Sequence, residues 1–100
     1  MKPTTPEAYA AAVVDVLANE FTDLAADPAV ARVARDTIAR HAASNGDRFE
    51  WIVDWPSVEN WRLKSDRNQA GRIRLACYKA TPTDADLALE ATVNAHLAAL

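Results

Sequence analysis

The chain has 100 residues, half of them hydrophobic and a quarter charged, with a formal net charge of −3. That balance excludes a disordered chain, and no apolar run approaches the ~18 residues of a membrane helix. A single cysteine, Cys77, excludes an intrachain disulfide framework. The length predicts one domain, 1–100, and with no apolar segment after the basic start the expected location is cytoplasmic.

Thr5-Pro6-Glu7 opens the first predicted helix, with a hydroxyl cap, a proline in the first turn and an acid where the dipole favours one. Tyr9, Val13, Val16, Leu17 and Leu24 share one face of a 3.6-residue period, with Phe21 beside them. Asp27-Pro28 repeats the start signal. Val30, Val33, Ala34, Ile38, His41 and Ala42 then form the apolar stripe of a second helix, which Ser44-Asn45-Gly46 ends. Arg32, Asp36 and Arg40 lie four apart on its other face, where each can pair with its neighbour.

From Arg48 the period changes to two. Phe49, Trp51, Val53 and Trp55 alternate with polar or smaller neighbours until Pro56; Trp61 and Leu63 alternate with Arg62 and Lys64; Ile73, Leu75 and Cys77 alternate with Arg72 and Arg74. Aromatic and β-branched residues at that spacing predict strands. Thr83 then caps a last helix whose stripe is Ala85, Ala88, Leu89, Thr92, Val93, His96, Leu97 and Leu100. The expected fold is α+β: two N-terminal helices, a three-stranded antiparallel meander, and a C-terminal helix packed on the sheet. The alternative is all-α, because Asp47-x-x-Glu50 and Asp66-x-x-Gln69 also read as helix-start capping boxes.

Charge is sorted along this order. Residues 1–27 carry Lys2 against five acids, the last twenty carry Asp84, Asp86 and Glu90 with no base, and every arginine lies between. The acidic ends, Asp15, Glu20, Asp23, Asp27, Asp84, Asp86 and Glu90, are the candidate partner-binding residues, suited to a basic protein. Arg62, Lys64, Arg72 and Arg74 would share one sheet face, opposite Trp61, Leu63, Ile73 and Leu75. They are the alternative, a nucleic-acid face on which aromatics stack and cations hold phosphates.

No enzyme is expected, and no metal or cofactor. His41 and His96 stand in the last turns of helices, where the dipole favours imidazolium, and neither has a second ligand at metal spacing. Cys77 alternates into the core, and no phosphate loop, nucleophile elbow or HExxH is present.

From residue 28 onward the order helix, three strands, helix resembles the double-stranded RNA-binding domain. That family places lysines at the start of its last helix to grip phosphates; Asp84 and Asp86 stand there and would repel the ligand. In length, net charge and lack of a cofactor signature the chain is similar to the anti-CRISPR proteins that phages encode against bacterial immunity. The likeness lies in profile rather than in particular residues. It implies a non-catalytic inhibitor in the host cytoplasm that binds a CRISPR effector complex or another basic nucleic-acid-handling protein through its acidic patches. The alternative is a small nucleic-acid-binding or regulatory protein using the basic sheet face.

Overall fold

A computed structural model describes residues 2–44, 47–52 and 59–100, with residues 51 and 52 described by their backbone alone. In chain order the elements are α1 (Pro6–Ala18), α2 (Thr22–Ala26), α3 (Pro28–Ala43), β1 (Glu50–Ile52), β2 (Trp61–Ser65), β3 (Ile73–Cys77) and α4 (Asp84–Ala98). The class is α+β, and the antiparallel sheet rules out the all-helical alternative.

Three helices precede the sheet where two are expected. α1 starts as predicted, Thr5 Oγ1 accepting the Ala8 N–H at 3.1 Å. It stops short of Leu24 because Phe21 turns inward: the Glu20 and Phe21 amides both donate to the Leu17 carbonyl, at 3.0 and 2.8 Å. Extended backbone at Phe21 then sends its ring to within 6.0 Å of Trp61, and α2 brings Leu24 into the same core. Asp27 caps α3 by accepting the Ala29 and Val30 amides.

α3 keeps most of its expected face, since Ala34, Ile38 and His41 are buried and Val30 and Ala42 pack against the core, but Val33 turns outward and is 57% exposed. α3 packs on α1, and both helices bury alanines, Ala31 and Ala34 on one and Ala10 on the other, small side chains that let two helix axes approach closely. Arg32, Asp36 and Arg40 all face solvent, with no ion pair among them in the described residues.

β2 and β3 pair antiparallel over five residues, Trp61↔Cys77 to Ser65↔Ile73, and β1 lies antiparallel against β2 from Glu50↔Lys64 to Ile52↔Arg62. Of the expected first strand, Val53, Trp55 and Pro56 lie outside the described residues, as do Asn45 and Gly46 after α3. Asp66-x-x-Gln69 opens a turn and not a helix. The Asp66 carboxylate accepts the Asn68 amide at 2.9 Å, and Gly71 follows at φ +76, a conformation that disfavours any side chain.

Trp61, Leu63, Ile73 and Leu75 face inward and close the core with Val13, Leu17, Leu24, Ile38, Val93 and Leu97. α4 lies along β3, and half of its predicted stripe faces the core: Val93 and Leu97 are buried and Leu89 and Leu100 pack beside them, whereas Ala85, Ala88, Thr92 and His96 are exposed. The helix turns Asp86, Glu90 and Asn94 toward the protein. Asn94 Oδ1 accepts the Leu75 N–H at 2.7 Å, and its Nδ2 donates to the Leu75 carbonyl at 2.9 Å. Glu90 accepts the Cys77 N–H at 2.9 Å, and Tyr9 of α1 accepts that of Ile73 at 2.9 Å. Three side chains thus satisfy the outer edge of β3 in place of a further strand, which removes an open template for aggregation.

Candidate functional site

Alternation along β2 and β3 puts Arg62, Lys64 and Arg74, half-buried, on the face away from the core, with Ala76 buried between them. Tyr78 continues that face one residue past β3, held by its amide on the Asn60 carbonyl at 2.7 Å. The residue is 39% exposed, and over its ring lie the Arg62 guanidinium and the Lys64 ammonium, 4.4 and 5.1 Å from its centre. Arg62 also donates to Glu50 across the β1–β2 pair at 2.6 Å. That hydrogen bond, helped by the nearby charge of Lys64, holds the Glu50 carboxyl below its usual range.

Where β1 begins and the β2–β3 hairpin turns, this face deepens into a groove of about 300 Å³. Four cations line it: Arg48 from the approach to β1, Lys64 from β2, Arg67 from the turn and Arg74 from β3. Among the described residues none of the four is in an ion pair, and the one acid in the lining, Glu50, is taken by Arg62. The groove is anchored from beneath. Ser65 Oγ accepts the Phe49 amide at 2.8 Å, and the Phe49 ring rests against the buried His41 ring with centres 4.5 Å apart. Four cations against one carboxylate leave a positive excess on a fixed base, which attracts and orients anions.

Of the four basic residues expected together, the structure brings Arg62, Lys64 and Arg74 onto one face and removes Arg72. That residue follows Gly71, outside the strand, and swings to the far edge. Its guanidinium lies 4.7 Å from the centre of the Tyr9 ring and donates to the Leu100 carbonyl. Arg48 and Arg67 complete the groove instead. For Arg67 a signal was available: it sits in the turn joining the two strands that carry Lys64 and Arg74.

The acids divide. Asp27 is the α3 cap. Asp86, 9% exposed, closes a capping box with Thr83 and accepts from Lys79 at 2.7 Å, and Glu90 holds the Cys77 amide. These three are engaged inside the fold. Asp15, Glu20 and Asp84 are exposed, and Asp23 is half-buried.

His41 is buried, with Nε2 3.4 Å from the Arg72 carbonyl oxygen; His96 is exposed; Cys77 is half-buried against the core. Among the described residues no three His, Cys, Asp or Glu side chains are grouped to hold a metal ion, and no helix is long and apolar enough to cross a membrane.

No family, curated protein or solved structure matches this chain.

Proposed function

We propose that the protein acts by binding, without catalysis, and that the groove of Arg48, Lys64, Arg67 and Arg74 takes the phosphate backbone of a nucleic acid. The observation that carries this reading is the convergence of four cations from four separate segments on one groove, with no ion pair among the described residues to neutralise them. Stability does not call for such a gathering, since like charges on one surface repel. A net charge of −3 does not oppose it, because contact is governed by the local field.

The test is fluorescence anisotropy of labelled oligonucleotides over a salt series. Four phosphate contacts imply a slope of log K against log salt between about −3 and −4. Replacing Arg67 and Arg74 with Ala should flatten the slope by roughly one to two and weaken all sequences alike. A slope near zero, or no binding at about 50 mM salt, overturns the reading.

A second reading rests on α1. Asp15 lies in its last turn and Glu20 just beyond, both exposed, and the last turn has no base. Acids at the negative pole of a helix cost stability and do not aid folding. They suit a basic protein partner, in keeping with an inhibitor of the anti-CRISPR kind that covers a surface meant for nucleic acid.

A further inference from the structure

Resting on the groove reading, we propose that the nucleic acid is single-stranded and that Tyr78 is the residue on which one of its bases stacks. Tyr78 is 39% exposed, the largest aromatic side chain among the described residues to be so placed, and it shares its sheet face with Lys64 and Arg74 of the groove. Leaving a ring in water forfeits the burial that Trp61 gains on the opposite face. Two cations lie over the ring, Arg62 at 4.4 Å and Lys64 at 5.1 Å, but a cation–π contact at an exposed site is weak, and Arg62 already has Glu50 as a partner.

Spacing supports the assignment. Arg74 and Tyr78 are four residues apart on nearly continuous extended backbone, which places them about 13 Å apart along the face. An extended strand whose phosphates lie in the groove reaches that distance within a few nucleotides, since a fully extended chain is longer than the duplex rise. Duplex DNA or RNA would meet the same cations but offers no base face at its surface, because its bases are stacked on each other. An exposed ring beside a phosphate groove adds affinity only where a base is unpaired. Lys64 beside the ring would then meet a phosphate flanking the stacked base, while Arg62 stays with Glu50.

The experiment compares a fluorescein-labelled 20-nucleotide oligothymidine with a mixed-sequence duplex of equal length, using wild type, Tyr78→Leu, Tyr78→Phe and the Arg67→Ala/Arg74→Ala pair, each first shown to keep its thermal midpoint. The expected result is tighter binding of the single strand than of the duplex. Tyr78→Leu should lose about tenfold on the single strand and almost nothing on the duplex, while Tyr78→Phe stays near wild type. Equal loss on both ligands, or no loss from Tyr78→Leu, overturns the stacking assignment while the groove reading stands, provided the arginine pair still weakens binding. If neither oligonucleotide binds, or the arginine pair changes nothing, the groove reading fails and this inference with it.

Discussion

Asn94 sits on α4 opposite Leu75 and uses both halves of its amide, the oxygen accepting the strand N–H and the nitrogen donating to the carbonyl of the same residue. A strand edge buried beneath a helix would otherwise hold two unpaired backbone groups, each worth about 1–3 kcal/mol in lost hydration. Tyr9 performs half of that service at Ile73, and burial raises the pKa of its phenol, so it remains neutral through the physiological range. The two sites make a graded test. Asn94→Leu keeps the volume and removes both bonds, so it should cost about 2–3 kcal/mol; Tyr9→Phe strands one N–H and should cost about 1–2 kcal/mol. Urea unfolding at unchanged m reads both. If Tyr9→Phe costs more than Asn94→Leu, or neither moves the midpoint, the edge is being satisfied some other way.

At the level of elements, what the sequence discloses depends on whether the cause is local. The caps at Thr5, Asp27 and Thr83 are readable because a cap is a contract between neighbours two or three residues apart. The strands at Trp61–Ser65 and Ile73–Cys77 are readable from alternation, and so are Arg62, Lys64 and Arg74 on one face. Alternation does not reach into the turn between the strands, so it discloses neither Arg67 in the groove nor Arg72, after Gly71, leaving the face. Along α4 hydropathy finds Val93 and Leu97 but counts Ala85 and Ala88 as core and Asp86 and Glu90 as solvent-facing, although the strand edge beside the helix needs acceptors. The same junction is sensitive to acid. A hydrogen bond from Lys79, then one from the Thr83 amide, holds the Asp86 carboxyl below its ordinary value of 3.8. The folded value lies under the unfolded one, so the stabilisation is present above 3.8 and is lost as pH falls through the folded value. Lys79 is correspondingly raised above 10.5, chiefly by its hydrogen bond to Asp86, and its share disappears only in strong alkali. In an acid titration followed by amide NMR, the Thr83 and Asp86 amides should shift below pH 3.8. Asp86→Asn should abolish that step. A Thr83 amide unmoved by acid would mean the capping box does not depend on the carboxylate.

On the scale of the whole molecule the question is which charge acts on a partner. Among the terminal acids Asp27, Asp86 and Glu90 are engaged inside the fold, as the α3 cap, the α4 capping box and the brace on Cys77, whereas four cations line the groove with no ion pair among the described residues. Beyond about 8 Å at physiological salt a charge is screened, so the net value matters less than this local inequality. Two double reversals separate the readings. Arg67→Glu with Arg74→Glu replaces two groove cations by acids and should abolish oligonucleotide binding. Asp15→Lys with Glu20→Lys should leave binding intact or raise it, since added cations near phosphate release counterions. It should also raise the thermal midpoint slightly, each base at the α1 C-terminus being worth about 0.3–1 kcal/mol against the dipole. The same proteins, titrated into purified CRISPR effector complexes binding target DNA, give the opposite ranking if the acidic surface is the active one: the acid reversal would slow association with a basic partner and relieve inhibition, and the arginine reversal would not. We expect the arginine reversal to be the damaging one in both assays. An acid-reversed protein that keeps its oligonucleotide affinity and its fold but loses an inhibition the wild type shows would assign function to the Asp15–Glu20 end of α1 and retire the groove as the principal site.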